Sequence, residues 1–306
     1  MDCITFSLAL EGYFLHARAR RLSKHTISDY SNTFRKFLAF LEGDPLFIDI
    51  TKHDIETFLS SQTHLSDKTL LNYHTGLSAL WTWAVSNGYA IKNLLHEIER
   101  PNPEKRAIVP LSDNDVRSLL EAVSHGRPYS NHGAMTKNVL LNIERNRAII
   151  FLLLDTGIRA DELSSAKIKH LDYKNMYIKV FGKGSKERIL PFSPRTGQVI
   201  WKYLATRRRK RPDDPLFATI DETPLDRHRL LKQLTAIGKR ANVHANPHRF
   251  RHTFAINYLR NGGNAYTLQL MLGHSTLDMV KRYLNIAQAD LQSAHRVASP
   301  VENMRL

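Results

Sequence analysis

Apolar residues recur at helical spacing through most of the first hundred positions. Ile27, Tyr30, Phe34, Phe37, Leu38 and Leu41 lie on one face of a helix. A helix over residues 5–21 precedes it and ends in Arg18, Arg20, Arg21 and Lys24. Thr51 and Asp54 have the spacing of a cap that opens a third helix carrying Ile55, Phe58 and Leu59. Ser66 opens a fourth, with Leu70, Tyr73, Leu77, Leu80, Trp81 and Ala84 facing inward and Gly88 closing it. Strand signals are too few for a sheet, so residues 1–100 are expected to form a small all-α domain.

The pattern then breaks. Residues 99–110, ERPNPEKRAIVP, hold three prolines and five charges, which predicts an extended interdomain linker centred on 101–110. Leu111, Ser112 and Asp115 restart the chain with a staple and a capping box. Residues 125–138 have the composition of a loop. From Arg147 the run AIIFLLLDTGIRADELSSAKI predicts a buried helix, a turn at Thr156-Gly157 and a second helix start. In YIKVFGKGSKERILPF, residues 177–192, two β-rich runs flank GKGS, which predicts a hairpin with Lys183 at its tip. The expected fold is therefore mainly α with a small β-sheet or hairpin. The second domain, α+β, spans 111–306 and ends in a tail, 287–306.

Asn246 to Tyr283 carries the densest chemistry. Asn246 caps a helix and Pro247 suits its first position. His248, Arg251 and His252 sit at i, i+3 and i+4 and share a face, while Phe250, Phe254 and Tyr258 run along another. Gly262 and Gly263 end this helix, and a short apolar one with Leu268, Met271 and Leu272 follows. Gly273 stops it, His274 projects from the turn, and Ser275 with Asp278 predicts a cap opening the helix of Tyr283. A helix start, two arginines and a tyrosine suit an anion such as phosphate. Singly, each residue has a plainer explanation. Tyr283 alone would suit a core. His248 and His252 resemble half a zinc site, but the Glu of H-E-x-x-H is missing and arginines stand between them. Arg159, one turn from Glu162, is either a salt-bridged structural arginine or an anion ligand.

Composition narrows the partners. In 306 residues, 42% apolar and 24% charged is the balance of a soluble globular protein. No apolar run approaches a membrane span, and the N-terminal stretch lacks a basic start and a cleavage signature. Cys3 is the only cysteine, which excludes an intramolecular disulfide and fits a cytoplasmic location. The net charge of +15 is uneven: residues 1–100 hold ten Lys and Arg against eleven Asp and Glu, the remainder 34 against 18. Such a surplus either serves solubility or attracts a polyanion, most simply nucleic acid. Arg207, Arg208 and Arg209 open the strongest basic block; they form either a solvated helix end or a phosphate contact. The Arg18–Lys24 cluster has the same two readings. GKGS is not a P-loop, because the first glycine of that motif is absent.

Taken together, TGIRADEL, GKGSKER, HRFRH, LGHS and a tyrosine nine residues after His274 resemble the tyrosine recombinase (phage integrase) family, nearest its Xer-like and transposon or integron-type members. The resemblance covers most of the chain. It implies a SAM-like, DNA-binding core-binding domain over 1–100, a linker, and a catalytic domain. Its catalytic residues carry over as Arg159, Lys183, His248, Arg251, His274 and the nucleophile Tyr283, with Glu162 as a supporting acid. The segment from His125 to Asn146 is longer than the usual family connection, and 287–306 matches a tail that often contacts a neighbouring subunit.

The implied activity is site-specific cutting and rejoining of double-stranded DNA through a 3′-phosphotyrosine. Arg159 and Arg251 would stabilise the non-bridging oxygens. His248 would serve as base, His274 would bond a phosphate oxygen, and Lys183 would protonate the departing 5′ oxygen. The covalent intermediate conserves bond energy, so ATP is not expected, and with the arginines doing the charge work no metal or other cofactor is expected. The expected assembly is a homotetramer on paired sites, with or without accessory proteins. A type IB topoisomerase-like enzyme and a DNA-binding regulator with an idle site are the alternatives.

Overall fold

The structure, a computed structural model, describes residues 3–103, 108–124, 137–182, 187–274, 276–287, 299, 301 and 304. The chain divides into two compact units, Met1–Arg106 and Ala107–Leu306, a boundary that falls within the proline-bearing segment.

Among the described residues the first unit holds four α-helices, α1 (Phe6–Ala19), α2 (Lys24–Phe40), α3 (Lys52–Ser61) and α4 (Asp67–Ser86). Each opens on a hydroxyl residue that accepts a hydrogen bond from the first turn: Thr5, Ser23, Thr51 and Ser66. Thr51 and Asp54 form the reciprocal capping box expected from their spacing. The core is aromatic, with Phe6, Phe34, Phe37, Phe47, Phe58 and Trp81 all buried. Phe37 and Phe58 meet edge to face at 5.0 Å, a preferred aromatic geometry. Gly88, with φ of 75°, ends the last turn in a conformation that glycine adopts without strain.

The second unit contains α5 (Asp113–Ser124), α6 (Lys137–Thr156), α7 (Ala160–Ser165), strands β1 (Leu171–Asp172), β2 (Tyr177–Phe181) and β3 (Glu187–Pro191), then α8 (Pro194–Thr206), α9 (Arg227–Ala241), α10 (Pro247–Arg260), α11 (Ala265–Leu272) and α12 (Asp278–Ala287). Ser112 and Asp115 cap α5 reciprocally (2.9 and 3.1 Å). The buried helix anticipated from Arg147 begins ten residues earlier, at Lys137, so part of the long 125–146 connection is helical; residues 125–136 lie outside the described residues.

The sheet is antiparallel in the order β1-β2-β3, with Ile178 opposite Leu190. Strand β1 is an addition to the hairpin expected from sequence. At two residues it is too short to show alternation, and pairing with β2 defines it. Helix α6 runs through the core with Ile149, Ile150, Leu152 and Leu153 buried. It stops at Gly157, whose φ is 59° and where any side chain would collide with the Phe254 ring. That close approach seats α10 against the end of α6. No helix among the described residues is long and apolar enough to cross a membrane.

Candidate active site

Helix α10 starts where Asn246 accepts from the Arg249 amide (2.9 Å), with Pro247 at its first position. Phe250 and Phe254 are buried and Tyr258 packs against the same core. This fixes the rotation of the helix and sets His248, Arg251 and His252 on its other side.

Arg251 is only 6% exposed. Its Nη1 donates to the Gly157 carbonyl (2.8 Å), and its Nη2 to the Leu272 carbonyl (2.5 Å) and His274 Nε2 (3.1 Å). Burial and the neighbouring Arg159 charge lower its pKa to about 10, so it stays cationic at neutral pH. Arg159 stands just before α7. Its Nη1 reaches Glu162 Oε1 (3.1 Å) and its Nη2 the Gly273 carbonyl (3.0 Å), while its side chain remains 38% exposed. One edge of Arg159 is thus salt-bridged, and the side chain still meets solvent.

Glu162 is buried between two arginines. Burial pushes its carboxyl up, but hydrogen bonds from Arg188 and Arg159 overcome this and hold it below the usual carboxylate range. Arg188, on β3, binds it through both terminal nitrogens, each at 2.7 Å. Arg188 belongs to GKGSKER but carried no role from sequence. Nothing local marks it, because its partners are Glu162 and Met271, 26 and 83 positions away.

His274 follows the Gly273 turn. Burial first, then Arg251, Arg159 and Arg188, push its pKa down to about 4, so it is neutral at pH 7. Arg251 can only donate, which makes Nε2 the acceptor and assigns the ring proton to Nδ1. That Nδ1 has no hydrogen-bond partner among the described residues.

Tyr283 is 3% exposed and packs with Val280 into the core beside α10. Its hydroxyl lies 2.8 Å from His252 Nδ1, and its ring stacks on His274 with centroids 6.4 Å apart. Burial raises the phenol pKa, opposed by Arg251 and Arg282. His252 is the residue sequence reasoning passed over. Its i+4 placement from His248 was visible, but the fold of α12 onto α10 is what brings it to the phenol. Burial lowers the pKa of both His252 and His248, and Arg251 acts on each in the same direction. Arg159 also lowers His248, which places that imidazole within the field of both arginines.

Lys183 lies outside the described residues, as does Ser275 of the expected cap on α12. The strands flanking Lys183 are in register, closing with Phe181 opposite Glu187. Arg18, Arg20, Arg21 and Lys24 are all exposed around the α1–α2 corner. Arg207 corrects the expectation of a phosphate contact. Its side chain is 1% exposed and held by Glu222 (2.5 Å), so no DNA backbone can reach it. Arg208 and Arg209 are exposed, on a loop after α8 rather than on a helix end.

Comparison with known proteins gives the family and the fold. The phage integrase family profile matches residues 111–290, and the profile of the phage integrase N-terminal SAM-like domain matches residues 10–91. A tyrosine recombinase XerD of Staphylococcus haemolyticus is 29% identical over 291 residues, covering 91% of this chain and 94% of that one. Among solved structures, the Tn1549 transposon integrase in complex with a circular intermediate DNA superposes with a TM-score of 0.73 at 21% identity, covering 93% of this chain and 99% of that one. The lambda integrase dimer bound to a COC′ core site gives 0.74 at 16% identity, covering 92% and 77% respectively. At these identities the two structures establish a shared fold.

Proposed function

This chain belongs to the phage integrase family and is a tyrosine-type site-specific DNA recombinase, and on that premise we propose that Tyr283 cleaves DNA at a phosphate held by Arg159, Arg251 and His274. The observation that carries this reading is the junction of α10 with the Gly273 turn: Arg251 touches His274 (3.1 Å), and the His274 ring lies on Tyr283. A phosphodiester passes through a pentacoordinate state with more charge on its non-bridging oxygens than the ground state has. Arg159 and Arg251, fixed before the substrate arrives, stabilise that charge without reorganising. His274, neutral with its proton on Nδ1, donates to one of the same oxygens.

Proton movement follows from the histidines. A phenol of raised pKa attacks only as it loses its proton. The neutral His252 holds the hydroxyl in the resting geometry. His248, in the field of Arg159 and Arg251, takes the proton when the phenol turns to the phosphate. Lys183 protonates the departing 5′ oxygen, and the 3′-phosphotyrosine is then attacked by the 5′ hydroxyl of a partner strand. The relatives described above lend no support to a topoisomerase or an idle regulator.

The partner is double-stranded DNA, in keeping with a surplus of positive charge after residue 100. Arg208, Arg209 and the Arg18–Lys24 corner supply phosphate contacts outside the catalytic site. Exchange of two strands in each of two duplexes uses four tyrosines, hence a tetramer on paired sites, with residues 287–306 joining neighbours.

The test is covalent trapping. Tyr283→Phe should bind DNA with nearly unchanged affinity and give no SDS-resistant protein–DNA adduct; an adduct from the Phe variant would refute the assignment. In the same assay His248→Ala and His252→Ala rank the two imidazoles, and undiminished adduct formation by His248→Ala would move the base to His252.

A further inference from the structure

The end of a helix leaves carbonyls without intrahelical donors and carries the negative end of its dipole. At α11 three successive carbonyls are each taken by an arginine from a different element. Arg188 Nε on β3 donates to Met271 (2.8 Å), Arg251 Nη2 on α10 to Leu272 (2.5 Å), and Arg159 Nη2 before α7 to Gly273 (3.0 Å). Two of these arginines belong to the cleavage site. The third has no assigned task.

Arg188 is placed differently from Arg159. Its side chain is 13% exposed, against 38% for Arg159. Its fork closes on both oxygens of Glu162 (2.7 and 2.7 Å), and its remaining edge closes on Met271 (2.8 Å). Each of its three nitrogens is engaged by protein, so the fork and the Nε donor that would grip a phosphate are already committed. Arg159 shares the same carboxylate, through its amide on Oε2 (3.0 Å) and its Nη1 on Oε1 (3.1 Å). The turn before His274 passes closely over both guanidinium groups: a Cβ on Gly273 would lie 3.3 Å from Arg159 Nη1 and from Arg188 Cζ.

We propose that Arg188 is a positioning residue for strand cleavage: by occupying Glu162 and the Met271 carbonyl it sets the Arg159 guanidinium and the His274 turn, without touching DNA. With Arg188 in place, Glu162 is already bound at both oxygens and takes only one edge of Arg159. Without it, the buried carboxylate draws the Arg159 fork onto itself, and donors meant for the phosphate are lost. Its burial would then also favour the protonated acid. Arg188 further fastens β3 to the C-terminal end of α11, so this strand and the two arginines share one frame. The inference rests on reading Arg159 as a phosphate ligand.

The experiment uses the full chain with Arg188→Lys and Arg188→Gln, and a DNA duplex bearing the target site as probe. Lysine keeps the charge but has neither the fork nor the Nε edge. Single-turnover cleavage at saturating DNA should fall about a hundredfold, the scale of a misplaced catalytic group. Affinity should stay within about threefold, and the slope of log K against log salt should not change, because no phosphate contact is lost. The acid limb of the cleavage pH profile should move to higher pH. In a Glu162→Gln background, Arg188→Lys should add little, since the two act through each other. A loss of affinity with a shallower salt slope, or fully additive effects with Glu162→Gln, would overturn the proposal. Arg159→Ala separates the two levels. If it cleaves at the wild-type rate, the phosphate-ligand reading fails; if it is inactive while both Arg188 variants cleave normally, only the role of Arg188 fails.

Discussion

Replacing Arg207 by alanine tests whether a buried arginine inside a basic run serves the fold or the DNA. Arg207 Nε and Nη2 both donate to Glu222 Oε2 (2.9 and 2.5 Å), and Nη1 donates to the Pro215 and Leu216 carbonyls. The side chains are 1% and 7% exposed. After truncation, Glu222 keeps the Arg208 amide (3.1 Å) as partner, and two carbonyls lose their donor. Breaking a buried pair from one side costs about 3–5 kcal/mol, because a desolvated charge is left uncompensated. That is a large share of the roughly 5–15 kcal/mol that keeps a domain folded. With a urea slope of about 3 kcal/mol per molar, the midpoint should drop by about 1–2 M in circular dichroism. Arg207→Met with Glu222→Leu removes both charges and should recover most of the loss, since an apolar pair of similar volume replaces a buried ion pair at little cost. The salt slope of DNA binding, measured where the variant is folded, should stay as in the parent chain. Arg208→Ala with Arg209→Ala should instead flatten the slope by up to about 2 and leave the urea midpoint alone. If Arg207→Ala keeps its urea midpoint and flattens the salt slope by about 1, the structural assignment is wrong.

Two further outcomes bear on the chemistry. Lys183→Ala should cleave ordinary DNA slowly and recover when sulfur replaces the 5′-bridging oxygen, because a thiolate with a pKa of about 8.5 leaves without a proton; equal slowing on both substrates would reduce Lys183 to a binding residue. The histidine environment predicts a pH effect on stability. His248, His252 and His274 have lowered pKa values in the fold, about 4 for His274, against about 6.5 when unfolded. The unfolded chain therefore binds more protons below pH 6.5, and stability should be lost as pH falls from there toward 4. Urea midpoints from pH 7.5 to 5 should show a weaker fall in His274→Gln; an unchanged fall would place the linkage elsewhere.

Much of this protein is determined within a few residues of chain. A hydroxyl or Asn at a helix start captures a nearby amide whatever surrounds it, which is why Thr51, Ser66, Ser112 and Asn246 were legible as caps. Gly88, Gly157 and Gly273 mark positive φ for the same local reason. The periodicity of apolar residues in α2 and α4 reports burial that each helix face must satisfy. The spacing of His248, Arg251 and His252 was likewise fixed by the helix itself.

What the sequence left open is which charges find partners, because that depends on residues far along the chain. Arg207 and Arg208 are neighbours in one basic run, yet Glu222 buries the first and the second stays in solvent. His248 and His252 share a face, and only the return of α12 across α10 brings the phenol to His252, 31 positions away. The α11 end illustrates the point most fully. Its carbonyls collect arginines from 83, 21 and 114 positions away, and no local pattern relates Arg188, Arg251 and Arg159 to one another. Local geometry follows from short-range sterics and hydrogen bonds, whereas a charge is assigned its role by whatever the packed core brings within 3 Å of it.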